Sequence, residues 1–348
     1  MTKSKKVIIS DVTLRDGNHA VNHSINSNVI RKYCKLIDKT GVNIVEVGHG
    51  NGLGASSLSI GRSVISDRKS LKIARSLLKK TKLSIHSIPG FSKIDDLKIA
   101  IDCGVDIFRI GTNSTEIDTT FSQIEFCKQN KVEYWGVLMM AHLVYDKEKT
   151  YLNKIKFLYD LGVRTVIIMD SAGIFLPDDL IDIIKNIKKK FKIKVGFHGH
   201  NNFGTAVWNS IAAYLSGAEI IDVSIKGFGA GAGNTQMDTF LTVFNRYVFK
   251  SKINMQKIYE LAKNFPMLLK KEKINYQNPF SEPKNIMSAN YGLFSGFASK
   301  VDYYSKKFKL DDIESFKAIG KKRLVAGQED LIFNILYNLQ KKRWTKYL

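Results

Sequence analysis

The chain has 348 residues, with 54 Lys and Arg against 32 Asp and Glu, a formal net charge of +22. Apolar residues make up 44% and charged residues 25%, with 25 glycines and 5 prolines, which excludes a disordered, fibrous or low-complexity chain. The length exceeds what one hydrophobic core usually supports, so a large domain with an appended piece is expected. The positive charge raises nucleic acid as a partner. The basic residues, however, spread through 69–82, 185–194, 250–273 and 300–322, in or beside helix-like segments and without interleaved aromatic platforms. They read as solvated helix faces, and no nucleic-acid partner is expected. Apolar runs such as Val166–Met169 fall short of the ~18 residues a membrane span needs. The first residues offer only Val7-Ile8-Ile9 where a secretory signal needs about 7–15 apolar residues. A cytoplasmic protein with no membrane contact is expected. Cys34, Cys103 and Cys127 are odd in number and far apart, and read as reduced thiols filling helix cores.

Short β-branched runs alternate with longer amphipathic stretches. A strand over Val7–Thr13 precedes a helix over Asn28–Lys39, and Ile44–Gly48 precedes Asp67–Lys80. The pattern repeats with Leu83–Ile88 and Lys93–Ile101, then Ile107–Gly111 and Thr115–Asn130, then Tyr134–Met139 and Lys147–Leu161. Thr165–Met169 with Asp178–Phe191, Lys194–His198 with Gly204–Ser216, and Ile220–Ser224 with Asn234–Phe249 complete it. Strands alternating with helices imply a parallel sheet. Eight such units fit a closed (β/α)8 TIM barrel, an α/β fold. An open doubly wound sheet is the alternative, but the first strand leads into Thr13-Leu14-Arg15-Asp16 instead of a glycine fingerprint. Past residue 252 the alternation stops. Helical patterns follow at Met255–Asn264, Asp311–Gly320 and Gln328–Gln340, interrupted by a loop-like stretch over Asn275–Pro283. The expected organisation is a catalytic barrel over 1–252 and a helical C-terminal region over 253–348.

A barrel's active site lies at the C-terminal ends of its strands. Strand 1 runs into Asp11-Val12-Thr13-Leu14-Arg15-Asp16-Gly17-Asn18-His19, which gathers two acids, an arginine and a histidine. Strand 7 ends in His198-Gly199-His200-Asn201-Asn202, and residues i and i+2 of a strand share a face. His198, His200 and Asp16 together could hold a divalent metal with open positions. The same ligand set occurs in non-haem iron oxygenases, which the barrel argues against. Strand 8 is followed by Gly227-Phe228-Gly229-Ala230-Gly231-Ala232-Gly233-Asn234, readable as a phosphate loop or as a flexible turn.

Asp-x-Thr-Leu-Arg-Asp-Gly-x-His-Ala, Glu46 to Gly50 as Glu-Val-x-His-Gly, His-x-His-x-Asn and Gly-Ala-Gly-Ala-Gly-Asn together resemble the 4-hydroxy-2-oxovalerate aldolases. These belong to the metal-dependent barrel lyases that include 3-hydroxy-3-methylglutaryl-CoA lyase and isopropylmalate synthase. Leu138–His142, Asp170-Ser171-Ala172-Gly173 and Ala326-Gly327-Gln328-Glu329-Asp330 extend the likeness over nearly the whole chain. The resemblance implies cleavage or formation of a 4-hydroxy-2-oxoacid, with pyruvate and an aldehyde as the other side of the reaction. It implies a metal on Asp16, His198 and His200, Mn²⁺ first and Mg²⁺ or Co²⁺ after it. Arg15 would stabilise the pyruvate enolate, His19 would be the general base, and Tyr291 would reach the site from the C-terminal region. Ser171, His86, Ser87 and Ile88 would contact substrate, and Glu46, Asn202 and Asn234 would orient the ligands from behind. An acylating aldehyde dehydrogenase docked on the C-terminal helices, and a homodimer, are the partners implied.

The sequence also departs from the family. A leucine run before Pro-Gly at the end of strand 3 is replaced by Ile85-His86-Ser87-Ile88, Asn51 stands where Asp is usual, and Phe294 stands where a second tyrosine is expected. A more polar aldehyde is the expected consequence. The alternatives are an acyl-CoA-dependent condensing enzyme or lyase of the same superfamily, and a non-catalytic partner subunit.

Overall fold

The computed structural model describes residues 7–275 and 282–344. Eight parallel strands close into a barrel in chain order: β1 (Ile8–Leu14), β2 (Ile44–Val47), β3 (Lys82–Ser87), β4 (Ile107–Asn113), β5 (Glu133–Met139), β6 (Thr165–Asp170), β7 (Lys194–Gly199) and β8 (Ile220–Val223). β8 pairs back onto β1, with Ile9 opposite Ile221 and Asp11 opposite Val223. Each expected strand is present, its ends shifted by at most two residues. The connecting helices are α1 (Ser27–Ile37), α2 (Asp67–Leu77), α3 (Ile94–Asp102), α4 (Phe121–Gln129), α5 (Tyr151–Asp160), α6 (Pro177–Lys190), α7 (Ala206–Leu215) and α8 (Met237–Tyr247). Then come α9 (Met255–Lys271), α10 (Pro283–Asn290), α11 (Ala298–Lys307), α12 (Asp312–Gly320) and α13 (Asp330–Trp344). Most of the loop expected over Asn275–Pro283 lies outside the described residues.

The strand pleat sorts side chains into two cores. Ile9, Val45, Leu83, Phe108, Ile110, Leu138, Val166, Phe197 and Ile221 point outward and pack under the helix ring. Ile44, Ile107, Trp135, Val137, Ile167 and Ile220 point inward and fill the barrel floor. This inner core rises through Ile88, Met139 and Met169 to Leu293, Phe294 and Phe297, so α10–α13 cap the mouth and share its packing. The cap is also hydrogen-bonded to the wall, because Ser295 donates its N–H and its hydroxyl to the Ser171 carbonyl at 2.9 and 2.8 Å.

The first helix beyond the barrel, α9, behaves differently. It buries Ile258, Leu261, Phe265 and Leu269 in the outer core and runs past the expected end at Asn264, through Pro266, to Lys271. A proline inside a helix costs about 3 kcal/mol or more. Burial of Phe265 and Leu269 on either side contributes about 1.5–3 kcal/mol each, which offsets it. All three cysteines are buried free thiols, as expected. No helix of the described residues is long and apolar enough to cross a membrane.

Candidate active site

The register of β1 shifts between Asp11 and Leu14, and the strand bends there. The bend separates the two acids that stand close in sequence. Asp11 faces outward, accepting from the Tyr33 hydroxyl at 2.7 Å and the Thr13 N–H at 2.9 Å. Burial raises its pKa to about 6. Arg15 and Asp16 come over the lumen, both almost fully buried. Asp16, His198 and His200 each offer a ligand atom within 4.8 Å of the others. The two imidazoles lie 5.1 Å apart between ring centres, as the i, i+2 spacing on β7 requires.

The donor set fits a divalent metal. His198 Nδ1 lies 3.0 Å from Asp222 Oδ2, and its Nε2 is buried with no protein partner. His200 Nδ1 is buried and unpartnered as well. Burial, helped by His198 and Arg15 against the pull of Asp16, lowers the His200 pKa to about 3, so its imidazole is neutral and able to coordinate. The Asp16 carboxyl pays a desolvation cost, but Arg15 and the facing imidazoles hold it well below the usual carboxylate range. Its Oδ1 accepts from Asn234 Nδ2 at 3.0 Å and the Ala230 N–H at 3.1 Å.

Those contacts give the glycine-rich segment after β8 its role. A Cβ on Gly229 would stand 2.2 Å from Asn234 Nδ2 and 2.8 Å from Asp16 Oδ1, so only a bare backbone can close on the carboxylate. The segment clasps Asp16, and the phosphate-loop reading is set aside. Asn202 links this loop to the cap: its Oδ1 accepts from Ser295 Oγ at 3.2 Å and its Nδ2 donates to the Asn285 carbonyl at 3.3 Å.

Arg15 is held on three sides. Nε donates to Glu46 Oε1 at 2.6 Å, and Nη1 to Asp16 Oδ2 at 2.7 Å and to the Gly50 carbonyl at 3.2 Å. Nη2 is buried without a partner, a fixed charged donor at the site. His19 lines a cavity of about 560 Å³ together with Asn51, Gly231, Phe294 and Lys300. A Cβ on Gly50 would sit 2.6 Å from its Nε2, which explains the glycine of the His-Gly pair. Burial lowers the His19 pKa from its ordinary value, against the pull of Asp16. Beyond it stands His23, 5.4 Å away between ring centres, stacked on His49 at 3.6 Å.

Tyr291 caps the C-terminal end of α10 and is partly buried against the cap core. Phe294 lines the His19 cavity, its ring centre 6.3 Å from His19. The chain turns at Gly292 (φ +67°) between the two rings. Two expected contacts fall elsewhere. Ser87 points outward and donates to Gln123 Oε1 at 2.8 Å, because the pleat gives the lumen to its neighbour His86. Ser171 is fully buried, and its Oγ accepts the Met140 N–H at 2.9 Å, joining β5 to β6. His86 faces inward against Gly111, where a Cβ would meet its Cε1 at 2.7 Å. Its Nδ1 is buried and unpartnered, and burial with Arg15 and Arg109 nearby keeps the ring neutral. Ile88 is buried at the same mouth.

Sequence reasoning missed Arg109 and Asp222, both fully buried and paired with each other. Burial would raise the Asp222 pKa, but Arg109 and His198 bring it down to about 2. The available signal was a charge on the inward-facing parity of an otherwise apolar strand.

A family model described as HMGL-like matches residues 6–264, and one described as a DmpG-like communication domain matches residues 279–341. A 4-hydroxy-2-oxovalerate aldolase of Pectobacterium atrosepticum is 40% identical over 340 residues, 97% of each chain. One of Spirochaeta aurantia is 41% identical over 337 residues, again 97% of each chain. The chain belongs to the 4-hydroxy-2-oxovalerate aldolase family. Among solved structures, the N-terminal domain of a putative aldolase from Bacteroides vulgatus covers 86% of this chain and 98% of its own, at 25% identity and TM-score 0.72. The carboxyl transferase domain of Rhizobium etli pyruvate carboxylase covers 97% of this chain and 61% of its own, at TM-score 0.83. At 12% identity that second likeness concerns the fold alone. The named aldolase relatives favour neither the acyl-CoA nor the non-catalytic alternative.

Proposed function

We propose that this chain cleaves, or in the reverse direction forms, a 4-hydroxy-2-oxoacid, yielding pyruvate and an aldehyde. The observation that carries the reading is the unpartnered Nη2 of Arg15, held beside the Asp16, His198 and His200 cluster. Asp16, His198 and His200 would hold a divalent metal, Mn²⁺ first and Mg²⁺ or Co²⁺ after it, which would supply Lewis-acid polarisation of the bound oxoacid. His19, neutral because burial depresses its pKa, takes the 4-hydroxyl proton. The O–H electron pair becomes the aldehyde carbonyl, the C3–C4 bond breaks, and its electrons pass to the enolate of pyruvate. Arg15 donates to the oxygen on which that charge develops, which in a buried site is the stabilisation that counts most. Asn234 and Glu46 hold Asp16 and Arg15 in place.

Specificity for the aldehyde falls to His86 and Ile88, since Ser87 turns outward to Gln123, while Tyr291 is retained as a catalytic candidate from the cap. A buried imidazole nitrogen without a partner is costly unless a ligand satisfies it. The unpaired Nδ1 of His86 therefore favours an aldehyde bearing a hydroxyl or other polar group. The match of residues 279–341 to a communication domain supports an acylating aldehyde dehydrogenase as partner, receiving the aldehyde at the cap. The test is pyruvate release over a panel of 4-hydroxy-2-oxoacids, with and without Mn²⁺. Metal-dependent release without coenzyme A is expected. Release only with coenzyme A would transfer the reading to the acyl-CoA-dependent branch.

A further inference from the structure

Arg109 sits on β4 at the centre of the lumen with no exposed surface. Its Nη1 is 3.0 Å from Glu46 Oε2, and its Nη2 pairs with Asp222 Oδ2. The other oxygen of Glu46 takes Arg15 Nε at 2.6 Å, and Arg15 Nη1 reaches Asp16 Oδ2 at 2.7 Å. On the opposite side, Asp222 Oδ2 lies 3.0 Å from His198 Nδ1. Alternating charges thus run Asp16, Arg15, Glu46, Arg109, Asp222 and end on the His198 imidazole, and both ends of the chain belong to the three-residue ligand cluster.

This arrangement has chemical consequences at each end. Accepting from Nδ1, Asp222 fixes the His198 tautomer with the Nε2 lone pair turned to the cluster. Accepting from Nε, Glu46 fixes the direction of the Arg15 fork and leaves Nη2 free for a ligand. Arg109 is the cation between the two carboxylates. A guanidinium presents separate N–H groups in a rigid plane and can hold two carboxylates at once, whereas an ammonium is a single point charge. Buried carboxylates that lose their cation are strongly disfavoured, so neither acid keeps its place unaided.

We propose that Arg109 is a positioning residue: by holding Glu46 and Asp222 together it sets both the metal-binding tautomer of His198 and the orientation of Arg15. The inference rests on the aldolase reading only for the role of Arg15. Its metal arm can be read on protein that has never met substrate.

The experiment uses the full chain and four variants, Arg109→Lys, Arg109→Met, Asp222→Asn and Glu46→Gln. Three quantities are measured: the Mn²⁺ dissociation constant from the electron paramagnetic resonance of free Mn²⁺, kcat at saturating Mn²⁺, and Tm. Asp222→Asn should weaken Mn²⁺ binding about 10–100-fold, the usual effect of losing a partner behind a ligand, with a smaller change in kcat. Glu46→Gln should do the reverse, lowering kcat with Mn²⁺ affinity near that of the wild type. Arg109→Lys should shift both, because it stands between them. A lower Tm in Arg109→Lys with unchanged Mn²⁺ affinity and unchanged kcat would mean a structural role only, and would overturn the proposal. Should both Arg109 variants fail to fold, the Glu46→Gln, Asp222→Asn double variant decides. Linked sites give a combined loss in kcat smaller than the product of the single losses, and a full product overturns the link. If no oxoacid is cleaved at all, the aldolase reading falls while the Mn²⁺ affinities still judge Arg109.

Discussion

Within the lumen, Arg15 meets Glu46 at 2.6 Å and Asp16 at 2.7 Å, and Arg109 meets Glu46 at 3.0 Å, all nearly or fully buried. In the cap above it, contacts are aromatic: Phe294 with Phe297 at 5.4 Å, Tyr304 with Phe333 and Phe308 with Phe333 at 5.5 Å between ring centres. The two materials respond differently to change. Removing one member of a buried ion pair leaves an uncompensated charge, worth about 3–5 kcal/mol of destabilisation. Aromatic packing is weakly directional, about 0.5–1.5 kcal/mol per pair beyond burial, so a ring can be exchanged with little cost to the fold. Phe294, standing where the resemblance led us to expect a tyrosine, is such an exchange. On the proposed reading, the lumen fixes the chemistry, and the cap and the strand ends beside it set what enters.

The comparison is broken most severely at the metal ligands. Asp16→Asn or His200→Ala should abolish both metal binding and turnover, and chelation of the wild type should do the same until Mn²⁺ is returned. Full metal content with full turnover in His200→Ala would remove it from the ligand set. One step smaller are the groups that meet the substrate. Arg15→Ala should cost about 10²–10³ in kcat, as loss of a preorganised donor to a developing oxyanion does. His19→Ala should cost about 10²–10⁴. Because burial places the His19 pKa below the ordinary histidine value, the wild-type rate should hold as pH falls to about 6.5 and decline only at lower pH. A His19→Ala rate equal to the wild type from pH 6 to 9 would exclude it as the base.

Specificity is the milder perturbation, since it moves the border of lumen and cap without breaking an ion pair. His86→Leu removes the unpartnered nitrogen and restores an apolar wall. Wild type should favour a hydroxylated aldehyde acceptor over acetaldehyde in kcat/KM, and the leucine variant should reverse or flatten that ratio. Sites built to bond a polar group discriminate strongly against its absence, whereas one methylene is worth about 1–3 kcal/mol. A wild type that prefers the simple aldehyde, with the same ratio in His86→Leu, would show that His86 is satisfied within the protein.

How far the sequence reveals this molecule follows from the range of each interaction. Strand parity is local, so His198 and His200 could be paired from spacing alone, and the strand and helix periods led to the barrel. Asp16 is legible as the ligand, but that Asp11 turns outward to Tyr33 is not, because the bend in β1 that separates the two acids is a property of pairing with β2. Arg109 and Asp222 are 113 positions apart and meet only when β4 and β8 face each other across a closed barrel. In the cap, α10 was hidden by Pro283, which reads as a breaker yet opens the helix at its first turn. The next helix, α11, buries chiefly Ala298, Val301 and Ser305, too little apolar volume to mark a helical face. Tyr291 and Phe294 are separated by less than one helical turn and by the positive-φ Gly292, so spacing alone does not show how each ring is directed.

The smallest expected effect concerns the seam between the two regions. His142 follows β5 and donates from Nε2 to the Gly292 carbonyl of the cap at 3.2 Å. Burial lowers its pKa to about 4, aided by Arg323 and opposed by that hydrogen bond. In the unfolded chain an imidazole titrates near 6.5. Between those values the unfolded state binds more protons than the folded one, so stability rises with pH across the window and is lost as pH falls from about 6.5 towards 4. Linkage bounds the loss from this one partly exposed group at roughly 1–3 kcal/mol. His49, also lowered to about 4, acts with the same sign inside the barrel mouth. Urea melts of metal-free full-length protein at pH 7 and pH 4.5 should show the fall, and His142→Asn should show a shallower one. Hydrogen exchange sharpens the comparison. As pH drops, amides of residues 283–344 should lose protection before those of β4–β7, because the His142 bond joins cap to wall. Simultaneous loss in both regions, with an unchanged pH slope in His142→Asn, would show that this seam has no separate control over the cap.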